Sequence, residues 1–166
     1  MNTLNIIYKN KKHLVEEIKK FRISSKSILV QVFAGTLNEE KIKEVLNEVK
    51  DILPTAKIIG ATTAGEIING KVTDKEIILS ITEFQDTKLE SVSAKVEDNN
   101  YFKLGSDIGN KLIKNDTKAI ILFSNTLHSD REELLKGIEE IKKDVVVAGG
   151  VSGDNFKMTG GKVFSG

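Results

Sequence analysis

Two stretches of this chain repeat one order of elements, and that repeat limits the fold more than any other feature. Each reads as a short apolar strand, a polar loop, an amphipathic helix, a second strand and a turn made of a small residue, a glycine and an acid. The first stretch takes its strand from residues 28–33 (Ile28-Leu29-Val30-Gln31-Val32-Phe33). A loop with Gly35-Thr36, a helix over 38–53 and a strand over 57–61 lead to Ala64-Gly65-Glu66. The second takes a strand from 119–123, a Ser124-Asn125-Thr126 loop, a helix over 130–142 and a strand over 145–148, then Ser152-Gly153-Asp154. A strand-helix-strand unit brings its two strands together in parallel. Each half therefore carries its acidic turn just past the C-terminal end of a buried strand.

The remaining elements follow from periodicity. Residues 77–81 and the alternating stretch 89–96 read as two consecutive strands and hence an antiparallel pair, and 162–164 begins one more. In the helix over 38–53, Ile42, Val45, Leu46, Val49 and Leu53 share one face, Asn38 is the N-cap, and Pro54 closes it. Leu134, Leu135, Ile138 and Ile141 mark the helix over 130–142, capped by Ser129 or Asp130. A third helix runs over about 100–114, where Gly105 and Gly109, four residues apart, leave one face open to close approach. A fourth lies over 13–21. The order β-α-β-β-β-α-β-α-β predicts an α/β chain with a mixed parallel and antiparallel sheet and packed helices. The repeat adds the alternative of two stacked sheets in an α-β-β-α arrangement.

Composition then removes whole classes of function. With 25 Lys and Arg against 24 Asp and Glu, the 166-residue chain has a net charge of +1, which argues against partners bound through many phosphates or an acidic membrane surface. No cysteine is present, so disulfides, thiolate metal sites and a cysteine nucleophile are excluded. Two histidines, His13 and His128, are too few for a site of several imidazoles. No apolar run reaches the roughly 20 residues of a membrane span, and the N-terminus lacks a signal-peptide pattern. The expectation is a cytoplasmic domain with no nucleic-acid or membrane partner and no cofactor.

Three segments are candidates for chemistry, and each has two readings. In the first, Gly60 and Gly65 allow close backbone approach, Thr62 and Thr63 offer hydroxyls, and Glu66 offers an acceptor for a ligand ammonium. In the other reading, this is a strand-ending turn whose hydroxyls satisfy local backbone. In the second segment, Gly149, Gly150 and Ser152 present backbone N–H groups and a hydroxyl to an anion, with Asp154 meeting a cation; a tight turn is again the alternative. Asn125 and His128 follow a buried strand, where open α/β sheets bind ligands. His128 beside Ser129 and Asp130 suggests a hydrolytic triad, but adjacent positions seldom give that geometry and no Gly-x-Ser-x-Gly elbow exists; a solvent-exposed neighbour of the helix cap is the alternative. A zwitterion answers both acidic turns, since its ammonium meets a carboxylate while its own carboxylate takes N–H groups.

Residues 58–67 (Ile58-Ile59-Gly60-Ala61-Thr62-Thr63-Ala64-Gly65-Glu66-Ile67), with Gly70, Val72, Asp74 and the strand at 77–81, resemble the N-terminal part of FIST domains. Their hallmark is an hhGxSTAGEI segment leading into a strand. Ile121-Leu122-Phe123, residues 134–138 and residues 147–154 carry the likeness onward, so that it covers about 24–166. Thr62 stands where the family has Ser and keeps a hydroxyl. The resemblance implies a non-catalytic, ligand-binding input module of bacterial signal transduction, with amino acids as the ligand class. It also implies a C-terminal FIST partner domain or a signalling output module. On this reading residues 1–166 are one domain cut short at its C-terminal end, where the strand at 162–164 offers an open edge and a possible homodimer contact. A small α/β hydrolase or transferase and a haem-based gas sensor are the alternatives.

Overall fold

A computed structural model describes residues 1–125, 130–157 and 159–166. Its first body is a five-stranded sheet in the order β1-β6-β2-β3-β9. The strands are β1 (Asn2–Ile7), β2 (Ser27–Ala34), β3 (Lys57–Thr62), β6 (Ile77–Phe84) and β9 (Val163–Ser165). Only β2 and β3 run parallel; β6 pairs antiparallel with both β1 and β2, and β9 pairs antiparallel with β3. Helices α1 (Lys11–Phe21) and α2 (Glu39–Ile52) lie on one face. There Leu14, Ile18, Ile42, Val45 and Val49 form one core with Val30, Val32, Ile58, Leu79 and Ile81. Asn38 caps α2 as its sequence position requires, its side chain accepting from the Lys41 N–H at 3.1 Å.

The second body repeats the first on a smaller scale. Strands β7 (Ala119–Ser124) and β8 (Val146–Val151) pair in parallel, and α3 (Tyr101–Leu112) and α4 (Arg131–Ile141) cover one face. Ile108, Leu134 and Ile138 close over Ile120 and Val145. The two helices touch through glycine. A Cβ on Gly105 would overlap the Leu134 carbonyl, and one on Gly137 would overlap the Phe102 carbonyl.

The chain is thus a mixed α/β structure, and the helix-free faces of its two parallel pairs turn toward one another. Phe33 on β2 and Phe123 on β7 meet edge to face, with ring centroids 5.8 Å apart. Two expectations are corrected. Residues 89–96 form no strand, because β6 already has β1 on one side and β2 on the other and offers no free edge. Val92 instead packs against the second core. The structure also adds β1 and a hairpin of β4 (Glu66–Ile68) and β5 (Lys71–Thr73), turned by Asn69 and Gly70 with φ of 52° and 75°. The expected C-terminal strand is β9, at the sheet edge.

Candidate functional site

The two acidic turns meet. Thr62, at the end of β3, accepts from the Gly153 N–H at 2.7 Å through its carbonyl, and its hydroxyl donates to the Gly153 carbonyl at 2.5 Å. The same hydroxyl accepts from the Lys162 N–H at 2.8 Å, so one buried side chain joins β3, the segment after β8 and the entry to β9. Gly153 lies flat against this junction, for a Cβ there would come within 2.7 Å of the Ala64 nitrogen.

Beside the junction is an apolar cleft of about 500 Å³ between the facing strands. Gln31, Phe33 and residues 61–63 line one wall; Ile121, Phe123 and residues 148–151 line the other. Its volume suits a small ligand. None of these lining side chains is charged. Gly150 faces open space, with nothing within 4 Å of where its Cβ would stand. Gly149 is glycine for a different reason: a Cβ would strike the Leu122 carbonyl of the neighbouring strand.

Of the residues singled out in the sequence, Thr62, Thr63, Gly149 and Gly150 reach this cleft. The others stand beside it in structural positions. Gly60 pairs with Phe164 across to β9, and its missing side chain makes room for that ring. Gly65, with φ of 141°, bends the chain into β4. Glu66 is buried and accepts from the Thr63 hydroxyl, from the Thr73 hydroxyl at 3.4 Å and from the Glu76 N–H at 3.3 Å. Gly35 has no Cβ because that atom would sit 2.5 Å from the Glu66 carboxylate. Ser152 is buried, its N–H bonded to the Ser124 carbonyl at 2.9 Å.

Asp154 holds the loop that follows it, accepting from Thr159 N–H at 2.7 Å and Gly160 N–H at 3.0 Å. Burial works against its ionisation, but the N–H groups of Gly160, Thr159 and Lys157 outweigh that and hold the carboxyl below its ordinary range. Both acids therefore face their own turns and lie outside the cleft lining. Asn125 is exposed at the end of β7, and His128 lies outside the described residues. His13 sits on α1, in the layer beyond the five-stranded sheet from the cleft.

The sequence reading missed the cleft's apolar wall residues Phe33, Ile121 and Phe123, which read only as strand residues, and it missed Gln31. Gln31 lies in the middle of β2 between Val30 and Val32, both fully buried, and it lines the cleft. A polar residue interrupting a strand of large apolar side chains was the available signal.

A second, polar groove of about 220 Å³ lies between residues 93–97 and α3, lined by Lys95, Glu97, Lys103, Asp107 and Lys111 among others. Within it Lys103 pairs with Asp107 at 3.2 Å and with Glu97 at 4.0 Å. Among the described residues no group of acids and histidines is placed to hold a metal ion, and no helix is long and apolar enough to cross a membrane.

No significant match to the chain exists among curated proteins or among solved structures. Residues 28–166, by contrast, match the model of the FIST N domain. That span takes in the five-stranded sheet from β2 onward, the junction at Thr62 and both walls of the cleft; the chain belongs to the FIST N family, a family of signal-transduction sensory domains.

Proposed function

We propose that this domain is a non-catalytic sensor of a small amino acid with an apolar side chain, taken up in the cleft between the two parallel strand pairs. The single observation that carries the proposal is the cleft's lining: largely apolar walls, no charged side chain, and Gln31 as the one residue with a side-chain amide. The ligand's side chain lies against Phe33, Ile121 and Phe123. The Gln31 amide supplies a donor to the ligand carboxylate and an acceptor to its ammonium. Thr63, whose hydroxyl proton goes to Glu66, keeps lone pairs for the ammonium. A zwitterion has no net charge, which suits a cleft without compensating charges; a net anion or cation entering it loses hydration without a partner.

This reading moves the ammonium from Glu66 and Asp154, whose carboxylates already have donors, to Gln31 and Thr63. Signalling then requires the ligand to favour one arrangement of the two walls, since a ligand shifts a conformational equilibrium only by its differential affinity. The test is calorimetric titration of the parent, Gln31→Leu and Gly150→Val with leucine, phenylalanine and valine, using acetate and phosphate as controls. Expected are binding of at least one of the three amino acids to the parent and weakening by about ten-fold or more in both variants, the loss of roughly 1.4 kcal/mol. Equal affinity in all three proteins would place the ligand elsewhere. Binding of acetate or phosphate in preference would overturn the choice of a zwitterion.

A further inference from the structure

Strand β8 has a neighbour on one side only. It pairs with β7, and within the described residues no strand lies along its other edge. The Val146 N–H bonds to the Lys118 carbonyl and the Ser152 N–H to the Ser124 carbonyl, so the even-numbered residues direct their hydrogen-bonding groups toward β7. In a parallel ladder the alternate residues, Val147, Gly149 and Val151, direct theirs outward. Natural edge strands are protected by charge, proline, brevity or cover. Among the described residues, 146–151 (VVAGGV) have none of these: the strand is six residues long, uncharged, without proline and mostly exposed, with Val146 at 63%. β7 likewise has a neighbour on one side only among the described strands, but its residues are more buried than those of β8. In the large sheet, the outer strand β9 is three residues long, and β1 carries Asn2 and Asn5, a residue type depleted in strands.

We propose that β8 pairs with β8 of a second copy, antiparallel about a two-fold axis, joining the two small sheets into one of four strands. A second copy is the occupant the edge itself specifies. An isologous contact needs a strand complementary to its own reverse. The register that places Gly149 opposite Gly149 puts Val147 opposite Val151 of the second copy and Ala148 opposite its Gly150. Valine then faces valine, small faces small, and no like charges meet within the ladder. The three outward residues of each strand exchange about six backbone hydrogen bonds. The contact uses the edge of β8, whereas the cleft uses its face, so the two proposals stand independently.

Two variants decide it. Proline at Val151 removes an outward N–H while sparing the bonds to β7, so Val151→Pro is expected to raise the dimer dissociation constant by at least about ten-fold in sedimentation equilibrium. Val151→Thr, which keeps the N–H, is expected to dimerise like the parent. The double variant Ala148→Cys, Gly150→Cys places cysteines at a non-hydrogen-bonded antiparallel pair, where Cα atoms are about 4.5 Å apart and a disulfide fits. The chain has no other cysteine, so mild oxidation is expected to give a covalent dimer. Ala148→Cys alone leaves the partner sulfurs diagonal, about 7–8 Å apart at the backbone, and is expected to cross-link far less. A parent that stays monomeric at every concentration overturns the proposal, including the case in which the edge serves a different protein. If Val151→Pro does not fold, the cross-linking result stands alone, and equal cross-linking of single and double variants refutes this register.

Discussion

Thr62 and Glu66 illustrate how residue types that suit a ligand also suit a turn. The Thr62 hydroxyl joins three segments of backbone, and its loss leaves the Gly153 carbonyl and the Lys162 N–H each short of a partner. Thr62→Val is expected to lower stability by about 1–3 kcal/mol in urea unfolding, while Thr62→Ser retains most of it. Glu83 sets a pH dependence of its own. The Ser24 N–H and the Asn2 amide, with further bonds from Ser25 and Ser24, outweigh burial and hold its carboxyl below the ordinary range. A carboxyl depressed in the folded state contributes fully above its unfolded pKa, and the contribution is lost as pH falls through the folded value. The parent's melting temperature is therefore expected to fall on acidification below the ordinary carboxylate range, and Glu83→Gln to show a shallower fall. An identical acid limb in the two proteins would assign the dependence to other groups.

At the scale of elements, the close α3–α4 contact gives a prediction in which two effects oppose. Gly105→Ala improves helix propensity by about 1 kcal/mol. The added Cβ, however, meets the Leu134 carbonyl, part of a rigid helix backbone that cannot give way like a side chain. Overpacking of about 1–3 kcal/mol is expected to win, so that the variant melts below the parent. That close approach was legible in the spacing of Gly105 and Gly109; α2, α3 and α4 were legible from apolar periodicity, α2 and α4 also from their caps, and α1 was placed without either signal. Asn38 and Asp130 cap α2 and α4 where a short polar side chain precedes the periodic run.

Strands were less legible, because pairing depends on partners far away in the chain. Residues 89–96 alternate as a strand does, yet no edge of β6 is open to them. β1 carries asparagines that weaken its pattern, and the β4–β5 hairpin went unread although Asn69-Gly70 is a strong turn signal. The site was half legible. The glycines and threonines mark the place where the two halves meet, but only the fold reveals that the acids turn away and that Gln31 turns in.

For the whole molecule, the repeat of strand, helix and strand produces two layers whose bare sheet faces enclose the cleft. That arrangement explains why the small residues gather where they do. Gly153 lets one half lie on the other, Gly60 admits Phe164, and Gly150 leaves the cleft open. The central claim is that the space between the layers receives the ligand, and amide chemical shifts of the parent during titration with phenylalanine test it most directly. The account predicts that the shifts gather at Gln31, Phe33, residues 61–63, Ile121, Phe123 and residues 148–151. Shifts gathered at residues 93–97 and α3, or no shift at saturating phenylalanine, leucine and valine, would contradict it.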